Sequence, residues 1–242
     1  MPYGYPPRMK RTATAVSLLA AALTCLTGCS GTAAQGKPGA TASPARQPAP
    51  AERVAGLLVT PADLGTGYSV RESDPAEGKS VFARSAQEIT GDAPCTPLAA
   101  MTHQLPLGRP QAFLSRVVTT EEAPGTRIHV TLAIYDQGRA VTAMDTLLAD
   151  AVQGCSLGFT VRANGTSERY EPFEPEDTPA VGDEALAYRG VITVEGGASR
   201  PVRTTVVRQA DVIAVYTAVG GAFIGRPGLL APVIEAQDAK LG

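Results

Sequence analysis

Apolar positions follow three patterns along the chain, and each predicts a different kind of element. The first is an unbroken run: Thr12 to Leu26 is almost wholly apolar or small. The second recurs at helical spacing. Val54, Leu57 and Leu58 share one face and predict a short helix before Pro61. Thr60 to Asp63 predicts a further helical turn, stopped by Gly65. Leu98, Met101 and Leu105 predict a helix starting near Cys95, since Pro94 and Pro97 are tolerated only in a first turn. Ala140, Met144, Leu147, Leu148 and Ala151 predict a longer helix between a capping Asp136 and Gly154, with Cys155 directly after it. Leu229, Leu230, Val233, Ile234 and Leu241 predict a closing helix.

The third pattern has period two. Ile128, Val130, Leu132 and Ile134 alternate with His129, Thr131, Ala133 and Tyr135, which predicts a strand with His129 toward water. The joint EEAPGT supplies the Pro-Gly of a tight turn, so residues 111–136 predict a hairpin. GYSVRES, GFTVRANG and SERYEPF predict shorter strands, and residues 183–220 predict three more. Gly91 to Pro94 reads as a loop. Val202, Thr204, Val206 and Arg208 show mixed faces, as in a sheet with one wet side. The predicted class is α+β: one domain with an antiparallel β-sheet and helices packed on one face.

The continuous run has its own reading. It is 15 residues long and follows Arg8, Lys10 and Arg11, whereas a spanning helix needs roughly 20. A positive start, a short apolar middle and a small-residue exit are the layout of an export signal. The exit Leu26-Thr27-Gly28-Cys29 resembles a bacterial lipobox, which implies that residues 1–28 are a lipoprotein signal peptide and that Cys29 carries a diacylglyceryl thioether. Two acyl chains hold a protein stably at a membrane. An ordinary cleaved signal with an incidental cysteine is the alternative. Ser30 to Ala51 has no Val, Leu, Ile, Met or aromatic residue and cannot bury enough apolar surface to order itself. Residues 29–51 are therefore expected to be the lipidated cysteine and a disordered Pro/Ala/Gly-rich tether, and residues 52–242 the extracytoplasmic domain.

Charge and cysteine content narrow the function classes. Residues 52–242 hold 16 basic and 23 acidic residues, a net charge of −7, the wrong sign for a nucleic-acid module. Cys95 and Cys155 remain after export and are expected to pair in an oxidising compartment; two separate buried thiols are the alternative. Neither His103 nor His129 stands at metal-ligand spacing from a cysteine. Both read as surface or partly buried residues rather than catalytic bases. The acidic stretch EPFEPED (Glu171, Glu174, Glu176, Asp177) offers oxygen ligands for calcium but lacks EF-hand spacing, and its prolines suggest a stiff loop. Asp183-Glu184 reads as a turn entering a strand, and Asn164-Gly165 as a tight turn. No G-x-S-x-G, H-E-x-x-H, S-x-x-K or P-loop pattern occurs. No metal and no cofactor are expected.

Several segments together resemble the PknH-like extracellular sensor domain, found on certain bacterial Ser/Thr kinases and on lipoproteins of high-GC Gram-positive bacteria. They are LLVTPADLGTGY, APCTPLAA, GRAVTAMDTLLADAVQGC, VGDEALAY and the closing helix, spanning residues 53–241. The chain departs from the family in having no tryptophan and no second disulfide. The resemblance implies an extracytoplasmic sensor-like domain without catalysis, its partner an unknown small molecule, lipid or envelope protein; the lipobox-like exit adds that it is held to the cell membrane through Cys29. It brings no catalytic residues. Two other readings stay open. A lipid or glycolipid carrier needs an acyl-sized cavity, and an unusual envelope enzyme needs a histidine and a carboxylate converging in one cleft.

Overall fold

The computed structural model describes residues 48–73, 82–148 and 152–242. The expected signal peptide, Cys29 and nearly all of the tether lie outside the described residues. Two short helices come first, α1 (Pro50–Leu57) and α2 (Pro61–Leu64), each with proline in its first turn. The first helix thus begins two residues ahead of the expected domain start at Glu52, at a position where a missing backbone N–H costs no helical bond. Strand β1 (Tyr68–Glu72) follows, then β2 (Ile89–Gly91), a tight turn at Ala93–Cys95, and α3 (Thr96–Thr102). The expected hairpin is β3 (Ala112–Thr120) and β4 (Arg127–Ile134). Helices α4 (Arg139–Thr146) and α5 (Val152–Cys155) lead to β5 (Phe159–Ala163), β6 (Thr166–Tyr170) and β7 (Glu174–Pro175). Three long strands, β8 (Glu184–Val194), β9 (Ser199–Gln209) and β10 (Val212–Val219), precede α6 (Ala231–Leu241).

The strands form one sheet in the order β1-β3-β4-β10-β9-β8-β6-β5-β2, with β7 beside β8. Every pairing is antiparallel. The α+β class is therefore as the sequence predicts. The helix arrangement is not: helices cover both faces. Ile128, Val130, Leu132 and Ile134 of β4 join Val207, Ala214 and Tyr216 in one core, closed by Val54 and Leu58 at α1 and by Val233 and Ile234 of α6. The opposite face carries Ala133, Val206, Ile213 and Val215, closed by Leu98 and Met101 of α3, Met144 of α4 and the two cysteines. Burial on both sides explains why β10, with the sequence VIAVYTAV, is nearly continuous in apolar residues.

The misleading signal was the set of polar residues in these strands. Thr204 and Thr217 are fully buried, because their hydroxyls bond each other at 3.2 Å. Arg203 is buried against Glu176, 2.7 Å away. A polar side chain that finds a partner inside the protein does not mark a wet face. Two other expectations also need correcting. Of the expected Gly91–Pro94 loop, Gly91 instead ends an edge strand, Ile89–Gly91, and Ala93 and Pro94 enter the tight turn at Ala93–Cys95. Of the long helix, Arg139–Thr146 and Val152–Cys155 are described, residues 149–151 lying outside the described residues; Gly138 rather than Asp136 is the N-cap of α4, and Gly154 and Cys155 lie within α5. Asp136 instead accepts a bond from the Gln111 amide at 2.6 Å.

Candidate functional site

The α3 side of the sheet carries a buried polar cluster. Helix α3 ends at His103, and the next residue, Gln104, turns left-handed at φ 63°. His103 is only 3% exposed, not at the surface as its sequence context predicts. Its Nδ1 accepts the backbone N–H of Ala83 at 2.9 Å, and its Nε2 lies 2.9 Å from Glu168 Oε2. Nδ1 is therefore the unprotonated nitrogen, and Nε2 donates to the carboxylate. Strand β6 supplies Glu168, which is also buried. The Tyr170 hydroxyl donates to the same Oε2 at 3.3 Å. Burial, and next the Glu168 charge, push the Tyr170 phenol well above its ordinary pKa, which keeps it a donor. Arg200 of β9 approaches Glu168 Oε1 to 3.6 Å with about a third of its side chain exposed.

Phe82 lies edge-on to His103, with ring centroids 6.0 Å apart. Its carbonyl accepts a 2.8 Å bond from the Asn164 amide. Asn164 and Gly165, both at positive φ, form the expected tight turn between β5 and β6. Phe82, Thr102, His103, Glu168, Ile192, Arg200, Val202 and Val219 enclose a cleft of about 20 Å³, room for about one water. A larger molecule would engage only the mouth, where Arg200 and the half-buried Phe82 stand. Arg200 is the cluster's accessible charge. His103 has both nitrogens engaged and would have to break an internal bond to act as a base.

His129 occupies the same sheet face. It is 5% exposed rather than turned to water, and neither ring nitrogen has a partner among the described residues. The Phe82 ring meets it edge-on at 5.0 Å. Desolvation, then Arg127 and Arg71, lower its pKa from 6.5 to about 4.

The remaining sequence candidates do not meet at this site. Cys95 and Cys155 form a disulfide deep in the α3-side core. Glu171, Glu174 and Glu176 each pair with a different arginine, Arg169, Arg189 and Arg203. Asp183 and Glu184 both hold Arg208. Among the described residues no three His, Cys, Asp or Glu side chains converge as metal ligands. Another concavity, about 250 Å³, lies at the open end of β1 and β3 by Gly67, Ser69, Thr119 and Glu121. Sequence reading missed Glu168, Arg200 and Phe82. Glu168 had a usable signal, since in β6 it shares the inward parity of Tyr170. Arg200, after the Gly-Gly-Ala turn, had none.

No protein-family model and no curated protein matches the chain. Solved structures do. The extracellular domain of PknH from Mycobacterium tuberculosis superposes with a TM-score of 0.50 at 12% identity, covering 81% of this chain and 97% of that one. The chain has the fold of the PknH extracellular domain. A Mycobacterium smegmatis protein described as an Rv0999 ortholog aligns with a TM-score of 0.40 at 13% identity, over 73% of this chain and 90% of its own. The resemblance carried by scattered sequence motifs is thus found in three dimensions, where it speaks for the fold. Among the described residues no helix is long and apolar enough to cross a membrane.

Proposed function

We propose that the chain is an extracytoplasmic, sensor-like binding domain held to the membrane by a lipidated Cys29, and that it binds a small ligand or envelope partner at the mouth of the Phe82–Arg200 cleft. The observation that carries the reading is the buried His103–Glu168 pair backing a partly exposed Arg200. Placing a carboxylate and an imidazole under cover costs stability unless they are fully bonded, and here the second carboxylate oxygen of Glu168 faces one accessible guanidinium at 3.6 Å. The fold shared with the PknH extracellular domain supports an extracytoplasmic setting, and the lipobox-like exit at Cys29 supports anchoring. Binding without catalysis is favoured because both His103 nitrogens are engaged. The 20 Å³ cleft gives no support to an acyl-chain carrier.

The test is native mass spectrometry of the full chain matured in its own host. An added mass on the wild type, lost in Arg200→Ala, is expected. Bare mass in both, with the variant still folded, would remove the cleft as a binding site. Anchoring is tested separately: Cys29→Ala should leave the membrane fraction, and its retention there would end the lipid-anchor reading.

A further inference from the structure

We infer that the sheet face around His129 is a binding site for a phosphate group. The inference goes beyond the binding reading above: it adds a site that shares only Phe82 with the Arg200 cleft. Strand register builds the site. Arg71 of β1 pairs with Val117 of β3, Val117 with His129 of β4, and His129 with Thr217 of β10. Arg71, His129 and Thr217 therefore share one face along a single row, and Arg127 projects from the same face of β4 two residues earlier.

Hydrogen bonding then sets His129 apart. Its buried polar neighbours are satisfied: Thr217 bonds Thr204 at 3.2 Å, and Thr131 bonds Gln104 at 3.1 Å. The imidazole is buried, with both nitrogens unpartnered among the described residues, and such a group requires an explanation. The charges acting on it are both positive, Arg127 and Arg71. Arg127 also differs from Arg53, Arg169, Arg189, Arg203 and Arg208, each of which has a carboxylate partner. Among the described residues Arg127 has none. A buried imidazole in a doubly positive field lacks one thing, an anionic acceptor. Two guanidinium groups and an imidazole suit a dianion better than a monoanion, and arginine fits phosphate oxygens by charge-assisted bonds. Phe82, edge-on to the imidazole, is the side chain that a ligand moves aside.

The chain has two histidines, so imidazole-nitrogen NMR of the full chain reports each one separately. Inorganic phosphate is titrated at constant ionic strength. His129 signals should shift and saturate while His103 keeps its tautomer. Arg127→Ala should weaken saturation at least tenfold, with unchanged His103 signals certifying the fold. Arg71→Ala, on the edge strand, is the second variant, with a loss of the same order expected. No shift of His129 with either free phosphate or phosphatidylglycerol vesicles, a shift that tracks ionic strength alone, or saturation in both variants equal to that of the wild type overturns the inference. Vesicles containing phosphatidylglycerol form a separate arm. Saturation with vesicles but not with free phosphate assigns the group to a lipid headgroup, and the reverse assigns it to a soluble ligand. A host ligand lost in Arg200→Ala, together with indifference to phosphate, would leave the binding reading intact and remove this one.

Discussion

The two histidines meet the same ring, Phe82, but differ in what holds their nitrogens. His103 donates to Glu168 and accepts from Ala83, whereas among the described residues neither nitrogen of the buried His129 has a partner. That difference has a consequence for stability. His129 has a folded-state pKa of about 4 against an ordinary 6.5. As pH falls through 6.5 the unfolded chain takes up the proton first, and the folded chain follows only near 4. Stability contributed by neutral His129 is therefore complete above about pH 6.5 and is lost between there and about 4, levelling below. The loss is on the order of 3 kcal/mol. Denaturant midpoints in phosphate-free buffer should fall across that window for the wild type. In His129→Phe this part of the slope should vanish, and an unchanged slope would show that other groups cause it. Phosphate should reduce the slope in the wild type, since an anion beside His129 favours its charged form.

The helices are held to the sheet by individual buried side chains as well as by apolar contact. Gln237 of α6 is fully buried. Its amide nitrogen donates to the Leu57 carbonyl at 2.8 Å, and its amide oxygen accepts the Val59 N–H at 2.9 Å. Arg116 of β3 donates to the Leu58 and Val59 carbonyls at 3.0 and 2.8 Å. Together they satisfy the backbone groups that the end of α1 leaves open. Gln237→Ala strands two of these groups and should cost about 2–4 kcal/mol, read as a lower melting temperature. Gln237→Glu keeps an acceptor for Val59 but sets a buried carboxylate against the Leu57 carbonyl, so at neutral pH it should cost more than Gln237→Ala. A melting point unchanged in Gln237→Ala would mean that water replaces the amide. Most elements were legible because period and punctuation agreed: the 111–136 hairpin, α3, β8 to β10 and α6. What failed was the side of the sheet. Gln237, Thr204, Thr217 and His129 look solvent-facing by type, and only their cross-chain partners, or for His129 the covering Phe82, place them inside. Residues as far apart as Gln237 and Leu57 leave no local trace in a periodicity.

At the scale of the whole molecule, the Cys95–Cys155 bond ties the start of α3 to the end of α5 across a separation of 60 residues that includes the β3–β4 hairpin and α4. Both cysteines are buried with Leu98, Met101 and Met144, so the link is an internal part of the α3-side core. Closing a loop of that length removes unfolded-state freedom worth about 4 kcal/mol in the chain-entropy treatment. The helix so anchored is also the one that delivers His103 to Glu168. Removing the bond should therefore act twice. Cys95→Ala with Cys155→Ala should lower the melting temperature by roughly 10 °C, given about 2–4 °C per kcal/mol for a domain of this size. It should also broaden the His103 ring signals while leaving His129, on the central strand β4, comparatively sharp. A large thermal loss with both histidine signals unchanged would confine the disulfide to the unfolded state. Broadening of both signals alike would mean that the α3-side core loosens as a unit and that the site depends on it throughout.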